Sequence, residues 1–328
     1  MDTPADVVPL ATRTLTYVDG AIDPVDLELA VELVLGCERA VLGRVDQSRN
    51  DVVRMLGLSS MDRDASCFAV EGGDVVGFLY VEQDPYEGVT GLDVFSLPWP
   101  GSESTRAALL DRGLQAARAR RAESGSDQWA ARAGCYVDDT SFAAVMTAAG
   151  MTPARRFYRM RIDSTSPLIP TTMPQLPEGV AIVPGAANDE TRHIVHELDR
   201  DAFSEHWGWA DYPYDDWWEH MSASPSFDPD DWWLLTVDGV PAAICLLGNS
   251  LAHHNEGYVD VLGVLKEFRG RGLAQLLLRR AFVHYRELGR AATLLGVDAT
   301  NTTGAVALYE KVGMSPVRVS EAYMHPLG

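Results

Sequence analysis

The chain has 328 residues, a length that suits two domains, each large enough for its own core. Forty-seven acidic and 27 basic residues leave a net charge of −20, which argues against a nucleic-acid partner, whose binding rests on lysine and arginine neutralising phosphates. Apolar residues make up 46% and charged residues 23%, as in an ordinary globular protein, and no apolar run has the length of a membrane span.

At the N-terminus, MDTPADVVPL carries neither a basic stretch nor an apolar core of secretory type, so a cytoplasmic protein is expected. Cys37, Cys67, Cys135 and Cys245 are far apart, with no CxxC or Cys/His cluster. That spacing predicts reduced thiols rather than a zinc site or a disulfide framework.

Further along, AVEGGDVVGFLYVEQ (69–83) reads as a β-hairpin turning at Gly72-Gly73. AAGMTPARRFYRMRI (148–162) then reads as a helix end, a Gly-Met-Xaa-Pro turn and a strand. Four prolines (Pro167, Pro170, Pro174, Pro177) in DSTSPLIPTTMPQLPEG (163–179) exclude regular helix and predict an extended linker.

Beyond the linker the same elements recur. Helices are predicted near 188–203 and 213–222, and strands near 233–238, 241–248 and 257–265, with a hairpin turn at Asp238-Gly239. A helix at 271–288, a strand at 292–298, a helix at 302–312 and a strand at 315–326 follow. KVGMSPVRVSEAYMHPL (311–327) echoes 148–162, with Gly150 and Gly313 separated by 163 residues. So long a period indicates a duplicated domain. The expected fold is therefore mixed α/β (α+β mixed sheet) in two tandem copies: residues 1–162, a linker at 163–179, and residues 180–328.

The chemistry concentrates in GYVDVLGVLKEFRGRGLA (257–274). A strand ends near Leu265, and Gly270 and Gly272 remove side chains where backbone N–H groups can form a cradle. The helix that follows points its positive end at the same place, and Arg269 and Arg271 add charge against the acidic background. Read on its own, the stretch is either a phosphate cradle or a solvated turn. It lacks the Lys-Ser/Thr of a Walker A loop and the third glycine of a dinucleotide fingerprint.

Taken together with LGV before it and NTTGAVALYEKVGM (301–314) after it, the stretch resembles the acetyl-CoA signature of the GNAT acetyltransferase superfamily, Q/R-x-x-G-x-G/A. The resemblance runs from residue 257 to residue 314 and implies two tandem GNAT-like domains with acetyl-CoA as co-substrate and no metal. It implies that the backbone amides of Arg269, Gly270, Arg271, Gly272, Leu273 and Ala274 hold the CoA pyrophosphate. The main chain of Leu262, Gly263 and Val264 would pair with the pantetheine arm, and Asn301 would line the cofactor side, although an N-cap role suits Asn301 equally. Tyr309 would be the general acid that protonates the departing thiolate, while its place on an apolar helix face with Ala305, Leu308 and Val312 also suits a core tyrosine. For the general base, Asp260 ranks first and Glu256 second.

The first half has LDVFSLPWPGSESTRAALL (92–110) where the signature would fall, and Met146 in place of the tyrosine. It is expected to keep the fold without the catalysis. In EHWGWADYPYDDWWEHM (205–221), four tryptophans, two tyrosines, two histidines and five acids crowd together. His206, Trp209 and Tyr212 are the candidate substrate contacts, with core packing plus solvated acids as the alternative.

The two-domain layout is similar to that of mycothiol synthase and related actinobacterial tandem acetyltransferases, although the acid on that enzyme's cofactor strand falls near Tyr258 here. The expected activity is N-acetyl transfer to a primary amine of a small molecule (a natural product, an antibiotic or a thiol precursor). Alternatives are a protein or peptide acetyltransferase and a non-catalytic acyl-CoA sensor. Neither nucleic acid nor membrane is expected as a partner, and the chain is expected to act as a monomer or homodimer.

Overall fold

A computed structural model describes residues 10–97, 102–223, 227–300 and 304–327. The chain forms two compact units, Met1–Ala154 with Ser320–Gly328, and Arg155–Val319.

In the first unit the elements run β1 (Ala11–Thr14), β2 (Tyr17–Val18), β3 (Ala21–Ile22), α1 (Pro24–Leu42), α2 (Arg49–Gly57), β4 (Cys67–Glu71), β5 (Asp74–Asp84), β6 (Val89–Phe95), α3 (Ser102–Ser124), β7 (Ala130–Tyr136) and α4 (Thr140–Ala148). β8 (Thr152–Asp163) leads out of it. The second unit continues with β9 (Val180–Pro184), α5 (Asp189–Phe203), α6 (Tyr214–Ser222), β10 (Trp232–Val237), β11 (Val240–Gly248), β12 (Glu256–Val264), α7 (Leu273–Glu287), β13 (Ala292–Asp298), α8 (Ala305–Lys311) and β14 (Ser315–Pro326). The predicted helices and strands of this half hold to within a few residues. Both predicted hairpins turn where expected, with positive φ at Gly72, Gly73, Asp238 and Gly239.

In the first unit the sheet order is β1-β4-β5-β6-β7, parallel only between β6 and β7. Alternation along its strands separates two cores. Cys67, Ala69, Leu79 and Val81 meet α3 and α4, while Phe68, Phe78 and Tyr80 meet α1 and α2. The second unit repeats the plan in the order β8-β13-β12-β11-β10-β9, parallel only between β12 and β13. Along β11, Ala243, Cys245 and Leu247 face α7, and Ile244 and Leu246 face α5 and α6.

This partition differs from the sequence expectation of 1–162, 163–179 and 180–328, because the last strand of each half crosses over. Phe157–Asp163 of β8 pairs antiparallel with β13 in the second unit, and Ser320–Pro326 of β14 pairs antiparallel with β7 in the first. Each sheet is thus completed by a strand from the other half of the sequence.

The proline segment lies along α7. Ser164 Oγ donates to the Arg290 carbonyl at 2.5 Å, Arg286 to the Thr171 carbonyl at 3.1 Å, and Arg280 to the Pro174 carbonyl. Ile169 is buried, and Met173 packs on the core beneath α7. Two of the four cysteines, Cys67 and Cys245, are fully buried, and Cys37 and Cys135 are half-buried with burial pushing each thiol up to about 12. Among the described residues, no helix is long and apolar enough to cross a membrane.

Candidate active site

The site begins where two parallel strands part. β12 and β13 pair from Glu256 opposite Ala292 to Val259 opposite Leu295, and the pairing goes no further. Past that point β12 keeps its antiparallel partner β11, with Leu262 opposite Cys245 and Val264 opposite Ala243. β13 keeps β8, with Gly296, Val297 and Asp298 opposite Arg159, Tyr158 and Phe157. The β13-facing edge of Leu262–Val264 therefore borders a cleft of about 490 Å³. Its backbone groups are the kind that pair with an extended amide chain laid alongside as an extra strand.

A β-bulge sits at the point of divergence. Leu246 faces Val261 and Leu247 faces Val259, so Asp260 is the extra residue of β12. A bulge re-aims a side chain and strengthens the local twist, and Asp260 lines the cleft. Two neighbours shape it. Gly248 leaves the room that the Asp260 carboxylate fills, since a Cβ there would stand 2.0 Å from Oδ2. Tyr285, fully buried on α7, places its hydroxyl 2.8 Å from the Gly248 carbonyl of β11 and 2.7 Å from the Tyr258 carbonyl of β12. The Tyr285 ring in turn requires Gly257, where a Cβ would meet it at 2.3 Å. The Asp260 spacing with Leu262 and Val264 is thus interrupted by one residue, a feature absent from the simple alternation.

At the far end of β12 a short turn leads to α7. Gly270 and Gly272 both adopt the left-handed conformation (φ +78°), and a Cβ at either would enter open space. α7 has no side-chain cap at Gly272, whereas α5 opens with a capping box in which Asn188 accepts from the Thr191 amide at 2.9 Å. Uncapped first-turn amides beside two left-handed glycines form a cradle for an anion. The residues here therefore fit a pyrophosphate. Gly270, Gly272, Leu273, Ala274 and Gln275 all line the cleft.

The two arginines of this turn have other roles than direct charge supply. Arg269 lines the cleft mouth, but its Nε donates to the Val264 carbonyl at 3.1 Å and its Nη2 to the Ala202 carbonyl at 3.3 Å. It thereby ties the turn to the ends of β12 and α5. Arg271 lies over the Phe268 ring at 5.1 Å. The backbone, more than these guanidinium groups, forms the cradle.

Tyr309 on α8 lines the same cleft and is 8% exposed. Burial pushes its phenol up to about 12, with Cys245 and Tyr258 adding to the effect. A phenol held protonated at neutral pH has a proton to give. Asn301 lies outside the described residues.

Of the two candidate bases, only Asp260 is brought into the cleft. Glu256 is buried at the start of β12 and ion-paired with Arg161 of β8. His206 lines the cleft, and burial lowers its pKa, which keeps the imidazole neutral. Trp209 and Tyr212 lie outside the lining; Trp209 is exposed, and the Tyr212 carbonyl accepts from His196 Nε2 at 2.9 Å. Trp217 and Trp218 of this segment belong to a core. Trp217 packs on Trp232 at 5.7 Å and donates to Asp199 at 2.9 Å, and Trp218 packs on Trp232 at 5.9 Å. Asp215, Asp216 and Glu219 are exposed. Phe203 and Lys311 line the cleft without having been singled out in the sequence. Phe203 carried no signal beyond its place at a helix end, whereas Lys311 belongs to the ALYEK run.

The first unit has the same parallel pair, with a different arrangement of the described residues beyond it. β6 and β7 pair from Val89 opposite Ala130 to Leu92 opposite Ala133. Beyond them Arg106 of α3 is buried and donates to Asp139 at 2.9 Å, to Ser141 at 3.1 Å and to the Ser96 carbonyl at 3.1 Å. It thus ties together the segments that leave the two strands. Met146, in the place of the tyrosine, is fully buried. Residues 98–101 of the segment that replaces the signature lie outside the described residues.

In comparison with known proteins, the family match falls in the second unit and the relatives cover most of the chain. Residues 192–314 match the acetyltransferase (GNAT) family. A mycothiol acetyltransferase of Thermobispora bispora is 31% identical over 267 residues, 77% of this chain and 81% of that protein. One of Thermomonospora curvata is 28% identical over 96% of this chain and 98% of its own. Among solved structures, a GCN5-related N-acetyltransferase from Sphaerobacter thermophilus superposes with a TM-score of 0.76 at 22% identity, covering 97% of this chain and 96% of its own. A tandem GNAT protein from the clavulanic acid biosynthesis pathway gives 0.68 at 17% identity, covering 97% and 99%. These two likenesses concern the fold.

Proposed function

The chain belongs to the GNAT acetyltransferase family and is an acyltransferase; from that premise we propose that acetyl-CoA is its co-substrate and that its second unit acetylates a primary amine of a small molecule by direct attack. The observation that carries this reading is the convergence of Asp260, Tyr309 and the glycine turn on one cleft.

Acetyl-CoA supplies the activated acetyl thioester. The amides of Arg269–Ala274 hold its pyrophosphate, and the Leu262–Val264 edge aligns its pantetheine arm, so that the thioester lies between the parted strands. Asp260 takes the proton from the acceptor's ammonium, freeing the nitrogen lone pair for attack. Tyr309 gives its proton to the departing thiolate sulfur. Positioning two reactants together removes much of the entropic cost of a bimolecular step, and each proton transfer is worth about 10²–10⁴ in rate.

Phe203, His206 and Asp298 line the same cleft as Asp260. A neutral imidazole and a carboxylate beside an aromatic ring suit an acceptor with hydroxyl groups near its amine. The names of the mycothiol acetyltransferases support the thiol-precursor kind of acceptor within the small-molecule class.

The test is thiol release from acetyl-CoA with a panel of small amines and peptides, using wild type and His206→Ala. Release with small amines, and a raised amine KM in the variant, is expected. Release with peptides alone would give the activity to a protein acetyltransferase. Binding of acetyl-CoA without release to any amine would make the chain a sensor.

A further inference from the structure

Of the 27 basic residues, two are lysines, Lys266 and Lys311, and the rest are arginines. The difference is chemical. A guanidinium stays protonated and takes no acyl group, whereas a lysine amine that gives up a proton is a nucleophile of the same kind as the acceptor amine. The chain therefore carries two side chains that can keep an acetyl group as an amide, and both lie in the second unit, which holds the cleft.

The two lysines stand in different places. Lys266 follows β12, is exposed, pairs with Glu205 at 3.0 Å and lies outside the cleft lining. Lys311 ends α8 and lines the cleft. Gly304 and Leu308 line it too, at a spacing from Lys311 that puts all three on one helix face. Leu308, Tyr309 and Lys311 fall within about one turn of α8. The lysine stem therefore starts beside the phenol assigned to the thioester sulfur. Lys311 is exposed and makes no ion pair among the described residues. Its flexible aliphatic stem lets the amine reach along the cleft wall. In a chain of net charge −20, a lysine without an acidic partner on the wall of a donor cleft is a specific feature.

We propose that Lys311 is a self-acetylation site, modified by the acetyl-CoA seated in its own cleft. The proposal rests on reading the cleft as the acetyl-CoA site. Lys311 Nζ gives one proton to solvent, and its lone pair forms the N–C bond to the acetyl carbonyl carbon. The C–S bond then breaks with its electron pair on sulfur. The nitrogen loses a second proton as the sulfur gains one. The products are an Nε-acetyl-lysine, the CoA thiol and one free proton. The mark turns a cation on the cleft wall into a longer neutral amide, so it changes both the charge and the width of the cleft.

Incubation of the full chain with isotope-labelled acetyl-CoA, without any acceptor amine, followed by peptide mass mapping, tests this. Label at Lys311 should exceed label at Lys266 by about tenfold or more, because a donor held beside one amine outruns its reaction from solution. The rate per molecule should not depend on protein concentration, as befits a step within one chain. Excess CoA thiol, which competes for the cleft without carrying an acetyl group, should bring Lys311 down to the level of Lys266, and so should Gly272→Glu. Equal label on the two lysines, label at Lys311 that CoA does not suppress, or a rate that rises with protein concentration overturns the proposal. So does acetyl-CoA binding, seen by calorimetry, with Lys311 unlabelled, and that result leaves the cleft assignment standing. Failure of wild type to bind acetyl-CoA at all overturns both.

Discussion

Val259 of β12 stands opposite Leu295 of β13, and this is the last pair the two strands make. One residue later comes the bulge at Asp260, so the strands separate where a carboxylate is turned into the gap. The opening and the candidate base arise from the same irregularity of the sheet.

The bulge depends on Tyr285. Tyr285→Phe removes the donor shared by the Gly248 and Tyr258 carbonyls inside the protein, which should cost about 1–3 kcal/mol of stability. Relaxation of the bulge should also lower kcat by about ten- to a hundredfold, as small misplacements of a reacting group do. Acetyl-CoA affinity should stay the same. Thermal melts, calorimetry and steady-state kinetics separate the three effects; a stability loss with unchanged kcat would detach Tyr285 from the site.

Asp260 and Glu256 can be told apart by what each loses. Asp260→Asn should lower kcat by about a hundredfold or more with little change in melting temperature. Glu256→Gln removes the partner of Arg161, which keeps Asp163 at 2.7 Å, so about 1–2 kcal/mol of stability should go and most of the turnover remain. The reverse pattern would make Glu256 the base.

For Tyr309, replacement by Phe should cut kcat by about 10²–10⁴ at unchanged acetyl-CoA affinity. The pH dependence has a definite sign. The folded phenol is pushed up to about 12, while an unfolded tyrosine ionises near about 10. The folded state therefore binds the extra proton between those values, and stability falls as pH rises through that window. Activity should show no alkaline limb from this group below about pH 11. A limb near 10 that vanishes in the Phe variant would show a solvated phenol instead.

Gly272 should tolerate no side chain without a cost. Gly272→Ala places a residue in the left-handed region, at about 1 kcal/mol, although its Cβ meets open space. Gly272→Glu adds a negative charge to the cradle and should reduce acetyl-CoA affinity more than about a hundredfold, by like-charge repulsion at close range. Calorimetry on both variants checks this; wild-type affinity in the Glu variant would sink the pyrophosphate assignment.

Much of the second unit could be read from local pattern, because helix periodicity, the Asp238-Gly239 turn and the glycine cradle are set by residues near each other in sequence. The crossover of β8 and β14 could not. The halves are duplicates, so each Gly-Met-Xaa-Pro strand has an alternation that fits either sheet, and alternation does not name a partner. Proline density correctly excluded helix at 163–179, but the packing of that segment depended on Ile169 and Met173, two apolar residues amid turn formers. The Asp260 bulge has no local signature. For the aromatic-rich 205–221 stretch, composition left a binding wall and a core both open; Trp217 and Trp218 close a core around Trp232, while His206 lines the cleft.

The crossed strands also bear on the order in which the molecule is made. Arg155–Val319 is one uninterrupted stretch, and it contains both edges of the cleft. Met1–Ala154 leaves the ribosome first, yet β7 waits for Ser320–Pro326, which is synthesised after the whole of the other unit. Vectorial synthesis ordinarily completes the leading domain first. Here the portion made earliest is finished last, with an unsatisfied strand edge exposed in the interim.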